Sequence, residues 1–294
     1  MTGDGNDPDS DGRGADGVTA ATAADLGIDP PLALASLSGD SDAAWARAAD
    51  PEAGAAFLGG IALDAESREA ARAMVDDRDR AEFLPADPLA WIADQLDALA
   101  DADLRAGANV RATSAAAIRE AAAVCAERDA VIEVNAHCRQ AELCAVGCGE
   151  RLLADTRRLA EYVAAAAGAG GDVSVKVRAE VDGVDLADTA RAISDAGADA
   201  IHVDAMDSEA VVGEVKRAAP ELVVIANNGV RDRGSVREYL AFGADAVSVG
   251  RPSDDERVLR RVRAAVDEGV RGAGAEGSGP EADGVDADPP GVSR

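Results

Sequence analysis

The segment Ala196-Gly-Ala-Asp-Ala-Ile-His-Val-Asp204 carries a helical pattern into a short apolar run, and Phe242-Gly-Ala-Asp-Ala-Val-Ser-Val-Gly250 nearly repeats it. In both segments the glycine stands where a left-handed residue ends a helix. The run that follows is too short and too uniformly apolar for another helix. This order of helix, glycine and buried strand is typical of α/β proteins with parallel strands.

Six further apolar runs bring the strand candidates to eight, with helical patterns in most of the connections. Residues 29–270 span about 240 residues, close to the ~250 of a (β/α)8 barrel. No Gly-x-Gly-x-x-Gly follows the first run, which disfavours an open dinucleotide-binding sheet. The sequence therefore predicts one α/β domain, a (β/α)8 TIM barrel over 29–270. The predicted strands are 32–36, 57–63, 108–111, 131–135, 173–178, 200–204, 223–226 and 246–250, and the predicted helices are 66–75, 88–100, 114–127, 150–167, 186–196, 208–218, 235–242 and 254–268.

Both ends of the chain lack apolar periodicity, which predicts disordered acidic tails over residues 1–28 and 271–294.

The net charge is −27, and lysine occurs only at Lys176 and Lys216. An acidic, alanine-rich, lysine-poor composition resembles that of proteins adapted to a high-salt cytoplasm. Repulsion among the acidic side chains is weak in such a cytoplasm, because the Debye length at molar salt is ~3 Å. The alternative is acidity selected for solubility alone.

The composition also excludes several classes of protein. The acidity argues against nucleic-acid binding through a broad basic face. No apolar stretch approaches the ~18 residues of a membrane span, and no secretory signal follows Met1, so we expect a cytoplasmic protein without membrane contact. Four cysteines in such a chain do not predict disulfides. Without a Cys-x-x-Cys pair, and with two histidines in the whole chain, we expect no metal site.

The C-terminal ends of the predicted strands carry an unusual set of polar residues. In a (β/α)8 barrel these ends form the active site. Both histidines and one of the two lysines fall there. Amide, ammonium, imidazole and thiol groups suit an anionic organic cofactor better than a divalent cation. The set comprises Asn109, Arg111, Asn135, His137, Cys138, Lys176, Arg178, His202, Asp204, Asn227, Asn228, Gly229, Gly250 and Arg251.

The last two strands end at Asn227-Asn-Gly229 and at Gly250-Arg251. In barrels the loops after these two strands often bind phosphate through backbone N–H groups and a helix N-terminus. Glycine allows a phosphate to approach the backbone closely. The alternative, that both are ordinary strand-to-helix turns, stays open at this point.

Several motifs together resemble one enzyme family. Val131-Ile-Glu-Val-Asn-Ala-His-Cys138 resembles the strand and loop of flavin-dependent tRNA-dihydrouridine synthases, in which Asn-x-x-Cys carries the active-site thiol. Gly147-Cys-Gly-Glu-Arg-Leu-Leu153 is similar to the family's Gly-x-Gly-x-x-Leu-Leu, and Val173-Ser-Val-Lys-Val-Arg178 to its flavin-binding lysine strand. The order and spacing agree over roughly 32–270, most closely with a shorter archaeal branch. Ile201-His202, the Asn227 segment and Gly250-Arg251 resemble its strand-six histidine and its two phosphate-side loops.

The resemblance implies an FMN cofactor reduced by NADPH, and reduction of the C5=C6 bond of uridine in tRNA to dihydrouridine. It implies hydride transfer from flavin N5 to C6, with Cys138 as the general acid that donates a proton to C5. Lys176 would contact the N1/O2 edge of the flavin and stabilise its reduced anion. Asn135 and Arg178 would contact the substrate. The other cofactor contacts that it implies are Asn109, His202, Asn227, Gly229, Gly250 and Arg251.

Three departures from the family pattern open alternatives. His137-Cys-Arg139 stands in place of Gly-Cys-Pro, Glu142 in place of a lysine, and Val203-Asp-Ala-Met206 in place of a Gly-Arg-Thr-Arg-like run. We also expect no counterpart of the C-terminal helical domain with which the family holds tRNA. The alternative substrate is a free pyrimidine, as in dihydroorotate or dihydropyrimidine dehydrogenases. A second alternative is a barrel without catalysis that serves as a scaffold.

Overall fold

The computed structural model describes residues 19–78 and 81–276. Eight parallel strands close into a barrel, each paired with its neighbours in sequence, and the last pairs with the first. This confirms the predicted (β/α)8 TIM barrel. The strands are β1 (Leu32–Leu34), β2 (Ala55–Ala62), β3 (Arg105–Arg111), β4 (Val131–Asn135), β5 (Val173–Arg178), β6 (Ala200–Asp204), β7 (Val223–Asn227) and β8 (Ala246–Val249).

Helices surround the barrel, and aspartate starts many of them. Asp87, Asp155 and Asp185 each accept backbone N–H groups from the first turn of the helix that follows, so part of the acidity serves as helix caps. Within the described residues no helix is long and apolar enough to cross a membrane. The helices are α1 (Ala43–Ala49), α2 (Ala65–Arg78), α3 (Pro88–Asp97), α4 (Ala115–Ala126), α5 (Ala141–Ala145), α6 (Glu150–Leu153), α7 (Thr156–Ala167), α8 (Leu186–Asp195), α9 (Val211–Ala218), α10 (Arg233–Ala241) and α11 (Glu256–Glu276), with 3-10 turns at Ala23–Leu26 and Arg251–Asp254.

The strands are buried on both faces, which explains their uniformly apolar sequences. One apolar cluster lies between the strands and the helices. A second closes the N-terminal end of the barrel, where Leu26 and Ile28 pack with Phe57 and Ile225. Since that end is filled with apolar side chains, the opposite end is the place for polar chemistry.

The element bounds differ from the predicted ones for local reasons. The short, alanine-rich helices α1 and α5 were not predicted. The predicted helix 150–167 divides into α6 and α7 because Asp155 caps a new helix by accepting the N–H of Arg158. Strand β3 begins at Arg105, three residues earlier than predicted, and Arg105 pairs with Asp129 at 2.8 Å and with Asp172.

The predicted glycine caps are confirmed, since Gly197 and Gly243 have φ of 96° and 94°. The predicted tails differ where they meet the barrel. Residues 19–28 include the buried Leu26 and Ile28, and α11 continues through 271–276. The rest of both predicted tails, 1–18 and 277–294, lies outside the described residues.

Candidate active site

Two adjoining cavities of about 630 and 390 Å³ open at the C-terminal ends of the strands. His137 and Lys176 line both of them, so the two form one cleft with two lobes. The larger is called the thiol lobe because Cys138 lines it. The smaller, lined by Gly229 and Gly250, is called the glycine lobe. The residues common to both lobes are Ser36, Leu37, His137, Lys176 and Arg251.

The thiol loop, residues 136–140 after β4, is held by hydrogen bonds to its backbone. The N–H of Cys138 donates to Oδ1 of Asn135 at 3.1 Å, and the N–H of Glu150 donates to the Cys138 carbonyl at 2.8 Å. A Cβ on Gly149 would lie 2.6 Å from Cys138 Sγ and closer still to its carbonyl oxygen. The second glycine of the Gly-x-Gly motif therefore gives the thiol loop the room to pack.

The Cys138 thiol is 5% exposed at the wall of the thiol lobe. Burial raises its pKa to about 11, with Arg111 acting in the opposite direction. The group is therefore a protonated thiol at neutral pH, which is the state that a general acid needs. The acid role remains a prediction from the sequence.

Lys176 lies at the junction of the two lobes and is 3% exposed. Burial lowers the pKa of its ammonium, and the carboxylates of Glu133 and Asp204 act in the opposite direction. Among the described residues its Nζ has one hydrogen bond, to Ser36 Oγ at 3.4 Å. Since an ammonium has three donors, Lys176 can donate further hydrogen bonds to a ligand in the cleft.

The glycine lobe presents glycine backbone beside the side chains of Lys176, Arg231 and Arg251. Gly229 has φ of 68°, and a Cβ on Gly250 would meet no described atom within 4 Å. The Tyr239 hydroxyl donates to the carbonyls of Asn227 and Asn228 at 3.2 and 2.9 Å, which fixes the turn after β7. The structure thus brings together the four predicted phosphate-side residues. Asn227, Gly229, Gly250 and Arg251 all line this lobe.

Asn109 and His202, both predicted to contact a flavin, lie in the barrel interior. Both are fully buried and neither lines either lobe of the cleft. Asn109 donates to Glu133 Oε1 at 2.7 Å, and His202 Nδ1 lies 2.7 Å from Glu133 Oε2. His202 Nε2 lies 2.8 Å from Ser248 Oγ. Direct contact of these two side chains with a cofactor therefore remains a prediction.

His137 and Asp204 meet across the ends of β4 and β6, where Nε2 lies 2.6 Å from Oδ2. Burial lowers the pKa of His137, and Asp204 acts in the opposite direction. Burial is the largest single effect on Asp204 and acts to raise its pKa, but the hydrogen bond and charge of His137, the N–H of Met206 and the charge of Lys176 together outweigh burial, and the pKa is lowered. Both residues stand where the sequence departs from the dihydrouridine synthase pattern, so two of the departures contact each other.

Two buried arginines flank the thiol loop. Arg111 lines the thiol lobe and pairs with Glu82 at 2.8 Å, while also donating to Ser38 Oγ at 2.9 Å. Arg178, predicted to contact substrate, lies 3.6 Å from Glu150 and lines neither lobe. A substrate contact for Arg178 also remains a prediction.

All four cysteines are free thiols. Cys144 Sγ donates to the Cys138 carbonyl at 3.6 Å, and Cys148 Sγ donates to the Ala112 carbonyl at 3.4 Å. In the part of the chain that the structure describes, no group of three or more His, Cys, Asp or Glu residues is arranged to hold a metal ion. The donors of the cleft are instead N–H, ammonium, guanidinium and thiol groups.

Comparison with known proteins supports the fold. No family model matches the chain. The chain is 25% identical over 236 residues to an uncharacterized protein of Methanocaldococcus jannaschii, covering 76% of this chain and 89% of that protein. The structure is similar to DHODH of Eimeria tenella in complex with ferulenol, with a TM-score of 0.59, 17% identity, and coverage of 83% and 82% of the two chains. A mutant of FabK from Thermotoga maritima matches with a TM-score of 0.49 at 20% identity, over 80% of this chain and 66% of that one.

Glu133 was not predicted to be a functional residue. It is the charged residue to which the buried side chains of Asn109 and His202 are both hydrogen-bonded. A signal was present, since Glu133 interrupts the apolar run of β4 two residues before Asn135. Strand alternation puts both side chains on the same face, which here is the barrel interior. The sequence analysis also missed Ser36 and Ser248, whose small side chains give no comparable signal.

Proposed function

We propose that this chain is a flavin-dependent oxidoreductase that binds FMN across the two lobes of the cleft. One observation carries the proposal. The buried ammonium of Lys176 lies between a protonated thiol, Cys138, on one side and the open backbone of Gly229 and Gly250 on the other. A flavin nucleotide has matching parts, since a phosphate suits backbone N–H groups and a reduced ring needs a nearby cation.

The donor chemistry of the cleft fits such a ligand. At Gly250 the glycine lobe offers backbone with no described atom within 4 Å of a Cβ position. The exposed Arg231 guanidinium donates to the Gly229 carbonyl at 3.0 Å, and the exposed Arg251 also lines the lobe. Arginine and backbone N–H groups are common phosphate donors in proteins. Lys176 would hold the ring edge on which negative charge develops. The phosphate would be held by Asn227, Gly229, Gly250 and Arg251.

Bound FMN would supply hydride chemistry after reduction, for which we propose NADPH as the reductant. The residues of the chain supply the rest. Cys138 holds a proton at Sγ because its pKa is raised by burial, and it would donate that proton to the substrate carbon. Asn135 fixes the Cys138 backbone through a 3.1 Å hydrogen bond and would orient the base. Burial of both side chains limits the access of water to the reacting atoms.

For the substrate we propose uridine in tRNA, reduced at its C5=C6 bond. The arrangement of Asn135, Cys138 and Lys176 around the thiol lobe, with Gly149 packed against Cys138, supports this proposal, because these residues carry the dihydrouridine synthase resemblance. A free pyrimidine is the second candidate. One observation favours it: Asp204, paired with His137, places a carboxylate at the cleft where the family pattern has cations, and a carboxylate disfavours a polyanionic strand.

One experiment tests the reaction and separates the substrates. Purified protein with FMN and NADPH in molar KCl is incubated with unmodified tRNA transcript or with free uracil, and nucleosides or bases are analysed by mass spectrometry. A gain of two hydrogens on tRNA uridine, absent in Cys138→Ala, is the expected result. Reduction of uracil alone would move the assignment to the free pyrimidine. Reduction of neither, by protein that does bind FMN, would contradict both substrates.

A further inference from the structure

Glu133 is a fully buried carboxylate at the centre of the barrel, and the proposed reaction gives it no role. Its two oxygens lie 2.7 Å from Asn109 Nδ2 and 2.7 Å from His202 Nδ1, with Ser174 Oγ at 3.4 Å. Burial acts to raise its pKa, but His202, Lys176 and Asn109 outweigh burial, and the pKa lies below its ordinary value. Glu133 is therefore ionised, and an ionised carboxylate only accepts hydrogen bonds.

One arm of hydrogen bonds runs from Glu133 to the thiol loop. Asn109 turns its amide nitrogen to Glu133, so its Oδ1 faces Asn135 and accepts from Asn135 Nδ2 at 2.8 Å. Asn135 Oδ1 then faces the loop, where it accepts the backbone N–H groups of His137 at 3.2 Å and Cys138 at 3.1 Å. Every donor in this arm points towards Glu133.

The other arm runs to the glycine lobe. Burial lowers the pKa of His202, so its imidazole is neutral and carries one proton. The carboxylate of Glu133 can only accept, which places that proton on Nδ1 of His202. Nε2 is then an acceptor for the hydroxyl of Ser248, 2.8 Å away on β8. Ser248 lines the glycine lobe, so the two arms connect both lobes of the cleft.

We infer that Glu133 is a positioning residue: by accepting from both arms it sets the direction of every hydrogen bond between Ser248 and the backbone of Cys138, and so holds the thiol loop in place. Two amides and one imidazole can each be reversed at little cost in shape. A central group that only accepts removes that freedom, because a reversed amide would place a donor against a donor. The cost of such a mismatch in a buried site is large.

Two variants distinguish the direction of the hydrogen bonds around position 133 from their mere presence. In Glu133→Gln, the new side chain has one acceptor and one donor group. With its carbonyl kept on Asn109, its amide nitrogen faces His202 Nδ1, which must become the acceptor, and the proton moves to Nε2. Glu133→Met removes both acceptors, and nothing then directs the amide of Asn109 or that of Asn135.

The tautomer of His202 is determined by nitrogen-15 NMR on the full chain in molar KCl, without added FMN. The chain has two histidines, so His137→Gln assigns the signals. We expect Nδ1–H in the native chain and Nε2–H in Glu133→Gln. The matched control Glu120→Gln, on the exposed face of α4, leaves Nδ1–H unchanged. Retention of Nδ1–H in Glu133→Gln would overturn the inference.

Release of the thiol loop is measured by alkylation of Cys138 with iodoacetamide, followed by peptide mass spectrometry with an added reference thiol as the standard. We expect a rate within about twofold of native in Glu133→Gln, and at least about tenfold faster in Glu133→Met, because the loop loses its hydrogen bonds. A folded Glu133→Met with native Cys138 reactivity overturns the inference. If Glu133→Met does not fold, the His202 tautomer in Glu133→Gln decides.

The inference rests on the proposed function only for the role of Cys138 as an acid. Both measurements are made without FMN, and FMN binding by the native chain is measured in parallel. Absence of FMN binding by the native chain would contradict the proposed function but not the role of Glu133 in the two arms of hydrogen bonds. An unchanged tautomer with tight FMN binding would contradict the role of Glu133 alone.

Discussion

The imidazole Nε2 of His137 lies 2.6 Å from the carboxylate Oδ2 of Asp204, although 67 residues separate them. The two side chains come from the ends of β4 and β6, on either side of the end of β5 that carries Lys176. Their contact therefore spans the point where the two lobes of the cleft meet. It gives the cleft a titratable imidazole whose charge depends on its partner.

Asp204→Asn is expected to lower the pKa of His137. Burial already lowers it, Lys176 and Arg178 act in the same direction, and Asp204 opposes them. Loss of the opposing carboxylate leaves the imidazole neutral to a lower pH. A pH titration of the native chain and the variant, followed by NMR, measures this shift. A pKa of His137 that rises in Asp204→Asn would show that the contact does not stabilise the imidazolium.

The alkylation rate of Cys138 is expected to rise with pH without reaching a plateau near neutrality. Its pKa is about 11, and the thiolate is the reactive form. The thiolate fraction at pH 7 is then ~0.01%, and the rate increases about tenfold per pH unit up to pH 10. Peptide mass spectrometry after timed iodoacetamide pulses measures it, and Cys138→Ser verifies the peptide. A plateau below pH 9 would contradict the pKa of about 11 that burial gives this thiol.

Substitution by methionine is expected to lower mainly the stability of the chain at Lys216 and mainly FMN binding at Lys176. Lys216 donates to the carbonyls of Ala21, Pro220 and Leu222 and pairs with Asp245 at 2.7 Å. Its loss strands a mostly buried carboxylate, so Lys216→Met is expected to lower the unfolding free energy by about 3 kcal/mol.

Lys176→Met removes a buried cation that has one long hydrogen bond, and its cost in stability is expected to be about 1 kcal/mol or less. It is expected to weaken FMN binding at least about tenfold, or about 1.4 kcal/mol. Denaturant unfolding and FMN titration of both variants, at one KCl concentration, measure the two effects. Equal FMN affinity in Lys176→Met and the native chain would remove the lysine from the cofactor site.

Gly149→Ala is expected to cost more stability than Gly183→Ala. Both glycines have positive φ, 59° and 75°, and the ψ of −136° puts Gly149 in a region that essentially only glycine adopts, so alanine has a backbone cost of about 1–3 kcal/mol there. A Cβ on Gly149 also overlaps the Cys138 carbonyl, whereas a Cβ on Gly183 meets no described atom within 4 Å. The overlap is expected to add about 1–3 kcal/mol. Similar losses in the two variants would contradict the packing of Gly149 on the thiol loop.

The fold was predictable because parallel barrel strands are buried on both faces and leave short, uniformly apolar runs in the sequence. The strand ends then follow from topology, which is why Lys176, Cys138 and Gly250 could be assigned to one end of the barrel from the sequence. Strand β3 was predicted too short because Arg105-Ala-Gly-Ala108 is neither apolar throughout nor β-branched. Its place is set by pairing with β2 and by ion pairs with distant aspartates.

The depth of each side chain in the cleft could not be predicted in the same way. His202 and Lys176 occupy paired positions on neighbouring strands, yet His202 is held below by Glu133 and Ser248 while the lysine reaches the cleft. Side-chain length and the partners available decide this, and those partners come from β4 and β8. The contact between His137 and Asp204 was also not predictable, because it depends on how close the closed barrel brings the ends of β4 and β6.

Binding of FMN in the cleft is measured by titration. Protein purified in molar KCl is stripped of small molecules and titrated with FMN while flavin fluorescence and absorption are recorded, with Lys176→Met and Lys216→Met beside it. We expect saturable binding that is weakened by loss of Lys176 and unchanged by loss of Lys216. A folded native chain that leaves flavin fluorescence unchanged at all FMN concentrations would contradict it.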